Sequence, residues 1–153
     1  MSNILNRFIA TAGGIGYLPI APGTWAAGVT AFFWFLYFKY FPEIVTWQIV
    51  ILLIIIVAGI YCSGKIASKN EKDPSHIVID EVAGMIVTLL FIPPSLINII
   101  TGFILFRLFD IAKPLGIKKM EAFRNGWGIM LDDILAGIYS NILLRFLILL
   151  KIW

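Results

Sequence analysis

Residues 128–153 read GIMLDDILAGIYSNILLRFLILLKIW, an apolar run long enough to cross a bilayer that opens on two adjacent carboxylates, Asp132 and Asp133. Ionisable groups at membrane depth are costly, and they usually mark function. The rest of the chain is just as apolar. Hydrophobic residues make up 60% and charged residues 14% of the 153 positions, and mean hydropathy is +0.94. Soluble domains carry about 25% charged residues, so the composition places the chain among integral membrane proteins. Its length fits one domain over residues 1–153.

Four more apolar segments precede this one, at residues 25–41, 45–63, 77–92 and 95–112, and the last segment covers 129–152. Pro93 and Pro94 end the third segment, and Lys113-Pro114 closes the fourth. A span needs roughly 20 residues. The third segment is short unless its polar start lies among lipid headgroups. Residues 3–12 set Ile4, Leu5, Phe8 and Ile9 at helical spacing opposite Asn3, Asn6 and Arg7, as in a helix lying on a membrane surface. The Gly/Pro-rich stretch at 13–24 forbids a regular helix. The expected fold is an all-α integral membrane protein with about five transmembrane helices plus a short N-terminal interfacial helix.

Charge sets the orientation. With the N-terminus in the cytoplasm, the inner side holds Arg7, Lys65, Lys69, Lys72, Arg107, Lys113, Lys118, Lys119 and Arg124. The outer side holds Lys39, Arg145 and Lys151. This excess is the positive-inside pattern. Trp47 and Trp153 become outer interface anchors, and Trp127 an inner one. No basic run interleaved with aromatics suggests nucleic acid. The lone Cys62 excludes an internal disulfide and reads as a packing residue. No cleavable leader is expected at the N-terminus.

The topology gathers the acids. Asp80 and Glu81 begin span three, Asp110 ends span four, and Asp132 and Asp133 begin span five, so all five fall at the cytoplasmic interface. The Gly/Pro loop falls there too. Carboxylates brought together repel unless a cation sits among them, and Mg²⁺ is a hard ion suited to oxygen ligands. Arg107, Asp110 and Lys113 are spaced by three and share a helix face. Arg107 can hold a phosphate through paired hydrogen bonds. Carboxylates, a metal and basic groups together suggest phosphoryl chemistry. Gly84, Ala136 and Gly137 are small enough to let spans three and five approach closely. Acids in a first helical turn also serve as caps and complement the helix dipole. His76, the single histidine, reads as an ordinary loop residue.

Four stretches in series carry a resemblance: GIGYLPIAPGT (14–24), DPSHIVIDEVAG (73–84), FRLFDIAKP (106–114) and NGWGIMLDDILAG (125–137). Their order and spacing resemble the phosphatidylglycerophosphatase A family, over about residues 7–145. The resemblance implies Mg²⁺-dependent hydrolysis of phosphatidylglycerophosphate to phosphatidylglycerol in the bacterial cytoplasmic membrane, with the active site facing the cytoplasm. The family's Pro-Gly-Thr falls on Pro22, Gly23 and Thr24. Its acids fall on Asp73, Asp80, Glu81, Asp110, Asp132 and Asp133, and its basic residues on Arg107 and Lys113.

On this reading Glu81, Asp110 and Asp133 are the expected Mg²⁺ ligands. Asp80, Asp132 and Asp133 are the expected catalytic carboxylates, with Asp80 or Asp132 orienting or deprotonating water. Gly23, Thr24, Arg107 and Lys113 are the expected substrate-binding residues. The phospholipid and the membrane are the expected partners. The rival reading is a small cation or proton transporter subunit, which calls for acids near the bilayer midplane and polar positions along several spans.

Overall fold

The computed structural model describes residues 2–41, 46–67, 75–123 and 126–152. Among these residues the chain is all helical. The α-helices are α1 (Ser2–Ala10), α2 (Pro22–Tyr40), α3 (Trp47–Ile66), α4 (Ile79–Leu89), α5 (Leu96–Ala112) and α6 (Gly126–Leu149). Short 3-10 turns lie at Ile15–Tyr17 and Ile117–Ala122. Asp73, Lys69, Lys72, Arg124 and Trp153, to which the sequence assigned roles, lie outside the described residues.

Local chemistry fixes the helix ends. α2 starts inside the Gly/Pro stretch because Pro22 takes its first turn, where a missing N–H costs nothing. Ser95 caps α5 by accepting a hydrogen bond from the Asn98 N–H. α5 stops at Lys113, which adopts a left-handed conformation before Pro114.

α4 is the hub. It packs most closely on α6 and also meets α2, α3 and α5. Nearly all of it is buried, including Met85, Thr88 and Leu89. The crossing with α6 depends on missing side chains. A Cβ on Gly137 would collide with the Gly84 carbonyl oxygen, and one on Gly84 would meet the Asp133 carbonyl oxygen at 2.6 Å.

α4 has only 11 residues, about 16 Å of helix, against about 30 Å of bilayer hydrocarbon. Its last carbonyls are not left bare. The Asn141 side-chain amide donates to the Val87, Thr88 and Leu90 oxygens, and Arg145 also donates to Leu90. Gln48 accepts from the Phe91 N–H. The sequence reading counted Arg145 only as an outer charge and gave Asn141 no role.

By length and apolarity alone, α3 is the one described helix able to cross a membrane. The expected count of five spans therefore does not follow from the helices taken singly. The outer surface is nonetheless strongly apolar. Phe33, Val57, Leu108 and Ile142 are all at least 59% exposed, and apolar surface on this scale marks an interaction face. Trp47 and Trp127 are exposed at the starts of α3 and α6. In α1, Ile4, Leu5 and Phe8 point outward, while Asn6 is buried and accepts a hydrogen bond from the Cys62 thiol.

Candidate active site

The N-terminal turns of α2 and α4 and the C-terminal part of α5 meet α6 about two turns from its start, around a polar cavity of about 230 Å³. α6 begins at Gly126, so Asp132 and Asp133 do not open this helix, as the sequence suggested, but lie beyond its first turn. Each helix contributes its own groups. α4 brings Asp80 and Glu81, α5 brings Arg107, Asp110 and Lys113, and α6 brings Asp132 and Asp133. α2 brings its backbone at Ala21, Pro22 and Gly23. Gly23 is required there, because a Cβ would overlap the Glu81 Oε1 atom. Ala21 and Lys113 both line the cavity with positive φ, 47° and 43°. Non-glycine residues rarely accept that conformation, and such strain gathers at functional sites.

All five acids expected from the sequence reach this one cavity, and Asp80, Asp110, Asp132 and Asp133 are buried. The pairing inside differs from the expected grouping. Arg107 Nη1 donates to Asp110 Oδ2, one helical turn away. Lys113 Nζ lies 2.6 Å from Asp132 Oδ2. Asp80, Glu81 and Asp133 each place a carboxylate oxygen within 4.8 Å of the others'. The trio close enough to share a metal is thus Asp80, Glu81 and Asp133, while one Asp110 oxygen is engaged by Arg107.

These residues fit a cation. Five carboxylates face two basic side chains among the described lining residues, and buried like charges repel. Glu81 Oε2 is buried with no hydrogen-bond partner among the described residues. A buried carboxylate oxygen left this way is costly unless a ligand satisfies it. The donors are all oxygens, as hard divalent cations prefer.

Gly23, Arg107 and Lys113 are at the cavity, as expected. Thr24 is not. It lines a neighbouring apolar groove that has Arg107 in common with the cavity. Ser75 and Ile77 also line the cavity. Both sit within the quoted 73–84 motif, which was the available signal, but neither carries a charge to draw notice. His76 lies outside the cavity wall, stacked on Tyr17 with ring centroids 6.0 Å apart.

A family model described as Phosphatidylglycerophosphatase A matches residues 8–148, a stretch that contains every element of this cavity. The chain belongs to the phosphatidylglycerophosphatase A family. Relatives of that name occur in Escherichia coli K12 and Haemophilus influenzae Rd, each 34% identical to this chain. The matches cover 92% and 89% of this chain and 82% and 84% of the relatives. A protein of Bacteroides thetaiotaomicron, provisionally named phosphatidylinositol-3-phosphatase, is 42% identical over 93% of this chain and 92% of its own length. No solved structure gives a significant match.

Proposed function

We propose that the protein hydrolyses the phosphomonoester of phosphatidylglycerophosphate, giving phosphatidylglycerol and inorganic phosphate. The observation that carries this reading is the clustering of Asp80, Glu81 and Asp133 beside Arg107 in one cavity, within a chain of this family. The names of the relatives from Escherichia coli and Haemophilus influenzae support the same substrate.

The protein crosses a bacterial cytoplasmic membrane five times with the cavity facing the cytoplasm. The apolar outer surface supports this placement. So does the positive-inside pattern, which sets Lys65, Lys113, Lys118 and Lys119 at the cavity end and Lys39, Arg145 and Lys151 at the other. α4 is too short to cross alone, but the neighbouring helices surround it, and Asn141 and Arg145 hydrogen-bond its last carbonyls.

The cation is Mg²⁺, held by Asp80, Glu81 and Asp133. When bound it supplies positive charge to the phosphoryl oxygens. Arg107 binds the phosphate. Its Nη1 is steadied by Asp110, and its buried Nε has no hydrogen-bond partner among the described residues. The first turn of α2 adds the partial positive charge of a helix N-terminus. Asp132, whose Oδ2 pairs with Lys113, orients the attacking water and takes its proton. Lys113 fixes the direction of the Asp132 carboxylate through their ion pair.

The test is phosphate release by purified, detergent-solubilised protein from phosphatidylglycerophosphate and from phosphatidylinositol 3-phosphate, with Mg²⁺ and with EDTA. Mg²⁺-dependent release from the first lipid is expected. Well-folded protein that leaves it intact overturns the reading, and preferential release from the second moves the substrate to the inositol lipid.

A further inference from the structure

The cavity that holds the acids has an apolar neighbour. A groove of about 390 Å³ runs between the start of α2 and the outer face of α5, lined by Thr24, Phe103, Ile104, Leu108 and Ile111. Arg107 lines both spaces. α2 is likewise divided, with Gly23 facing the cavity and Thr24 the groove. A larger apolar groove of about 630 Å³ lies along α2 against α4, but it has no lining residue in common with the cavity.

A lipid phosphomonoester is charged at one end and apolar at the other. Its site needs a polar space that opens directly onto an apolar one. The α2–α5 groove meets that need, and its wall faces outward, with Ile104 51%, Leu108 59% and Ile111 72% exposed. We infer that this groove seats an acyl chain of the lipid substrate, which enters sideways from the bilayer between α2 and α5. Thr24 and Arg107, the polar groups at the junction, face the part of the lipid between its monoester and its chains. This inference rests on the lipid-phosphatase reading and adds the route of entry and the basis for preferring a membrane lipid over a soluble phosphate ester.

The experiment compares wild type with Ile104→Trp and Ile111→Trp, which fill the groove. Ile97→Trp serves as a control, being exposed on the same helix but outside the groove. Two substrates are used in detergent: long-chain phosphatidylglycerophosphate and the same headgroup ester lacking acyl chains. Both groove variants are expected to raise KM for the long-chain lipid about tenfold, equivalent to losing burial of about two methylenes. kcat/KM for the chain-free ester should stay within about twofold of wild type, and Ile97→Trp should match wild type on both. Unchanged KM for the lipid, or equal losses on both substrates in protein that melts like wild type, overturns the inference.

A second readout needs no turnover. The lipid, carrying a photoreactive group on its acyl chain, is cross-linked to wild-type protein with and without excess unlabelled lipid. Competed adducts on α5 between Phe103 and Ile111 support the groove. Competed adducts along the α2–α4 groove, or none on α5, refute it. If wild type releases no phosphate from either substrate, the phosphatase reading fails, and the cross-links alone decide the groove.

Discussion

Replacing Gly84 by alanine adds one methyl group where α4 crosses α6. That carbon would stand 2.6 Å from the Asp133 carbonyl oxygen and 2.5 Å from the Phe106 ring. The ring can turn, but the carbonyl belongs to the α6 backbone. Restoring an ordinary separation of 3.4 Å requires the two helices to part there by about 0.8 Å. Alanine favours a helix over glycine by about 1 kcal/mol, whereas overpacking costs about 1–3 kcal/mol, so the net effect is destabilising by up to about 2 kcal/mol. The functional effect is larger. The displaced backbone carries Asp133, while Asp80 and Glu81 ride on α4, so the carboxylates that lie within 4.8 Å of one another are drawn apart. A shift of about 1 Å in reacting groups can cost about 100-fold in rate. The expected result is a kcat 10- to 100-fold below wild type, with a melting temperature lower by a few degrees. The assay is Mg²⁺-dependent phosphate release alongside thermal unfolding in detergent. Gly28→Ala is the control, since its added carbon meets nothing nearer than Phe103 at 3.8 Å. Wild-type kcat together with a raised melting temperature in Gly84→Ala would refute the argument that this crossing sets the geometry of the site.

Asp133→Asn removes a charge from the proposed metal trio and should lower kcat roughly 1000-fold and weaken Mg²⁺ binding measured by titration calorimetry. Undiminished binding would take Asp133 out of the trio. Lys113→Gly should relieve the left-handed backbone strain, worth about 1 kcal/mol, but it also takes the ammonium from the buried Asp132 carboxylate, a loss of about 3–5 kcal/mol, so a lower melting temperature is expected. It should also cut kcat, because Asp132 loses its ion-pair partner, and full activity would remove Lys113 from the mechanism. Asn141→Leu strips a donor from the end of α4. Hydrogen bonds between membrane helices are worth about 0.6–1.7 kcal/mol, so a melting temperature lower by roughly 2–6 °C is expected, and an unchanged value would mean those carbonyls find other partners.

The gathering of the acids was legible because acids are scarce in this chain and each falls near the end of an apolar segment. Once successive helices alternate in direction, Asp80, Glu81, Asp110, Asp132 and Asp133 can only meet at one end, and they do. The close approach of α4 and α6 was legible for a similar reason, since Gly84 and Gly137 have no side chains to hold the helices apart. Thr24 was not. Whether the third residue of α2 faces the cavity or the groove depends on how α2 is rotated against α5, and spacing within one segment carries no information about that angle. The capping of α4 was hidden too. It becomes visible only once the helix is known to stop at Leu89, which leaves carbonyls that need Asn141 and Arg145.

The end of α5 shows where helical spacing stops holding. Spacing by three places Arg107, Asp110 and Lys113 on one face only while all three stay helical. Arg107 and Asp110 do, and they pair with each other. Lys113 does not. At φ 43° and ψ 47° it has left the helical phase ahead of Pro114, and its side chain swings across to Asp132 on α6. Glycine would be the easier residue at such a position. A lysine held there against its backbone preference, with its ammonium on a buried carboxylate, is accounted for by what it reaches: it ties the end of α5 to α6 at the cavity wall.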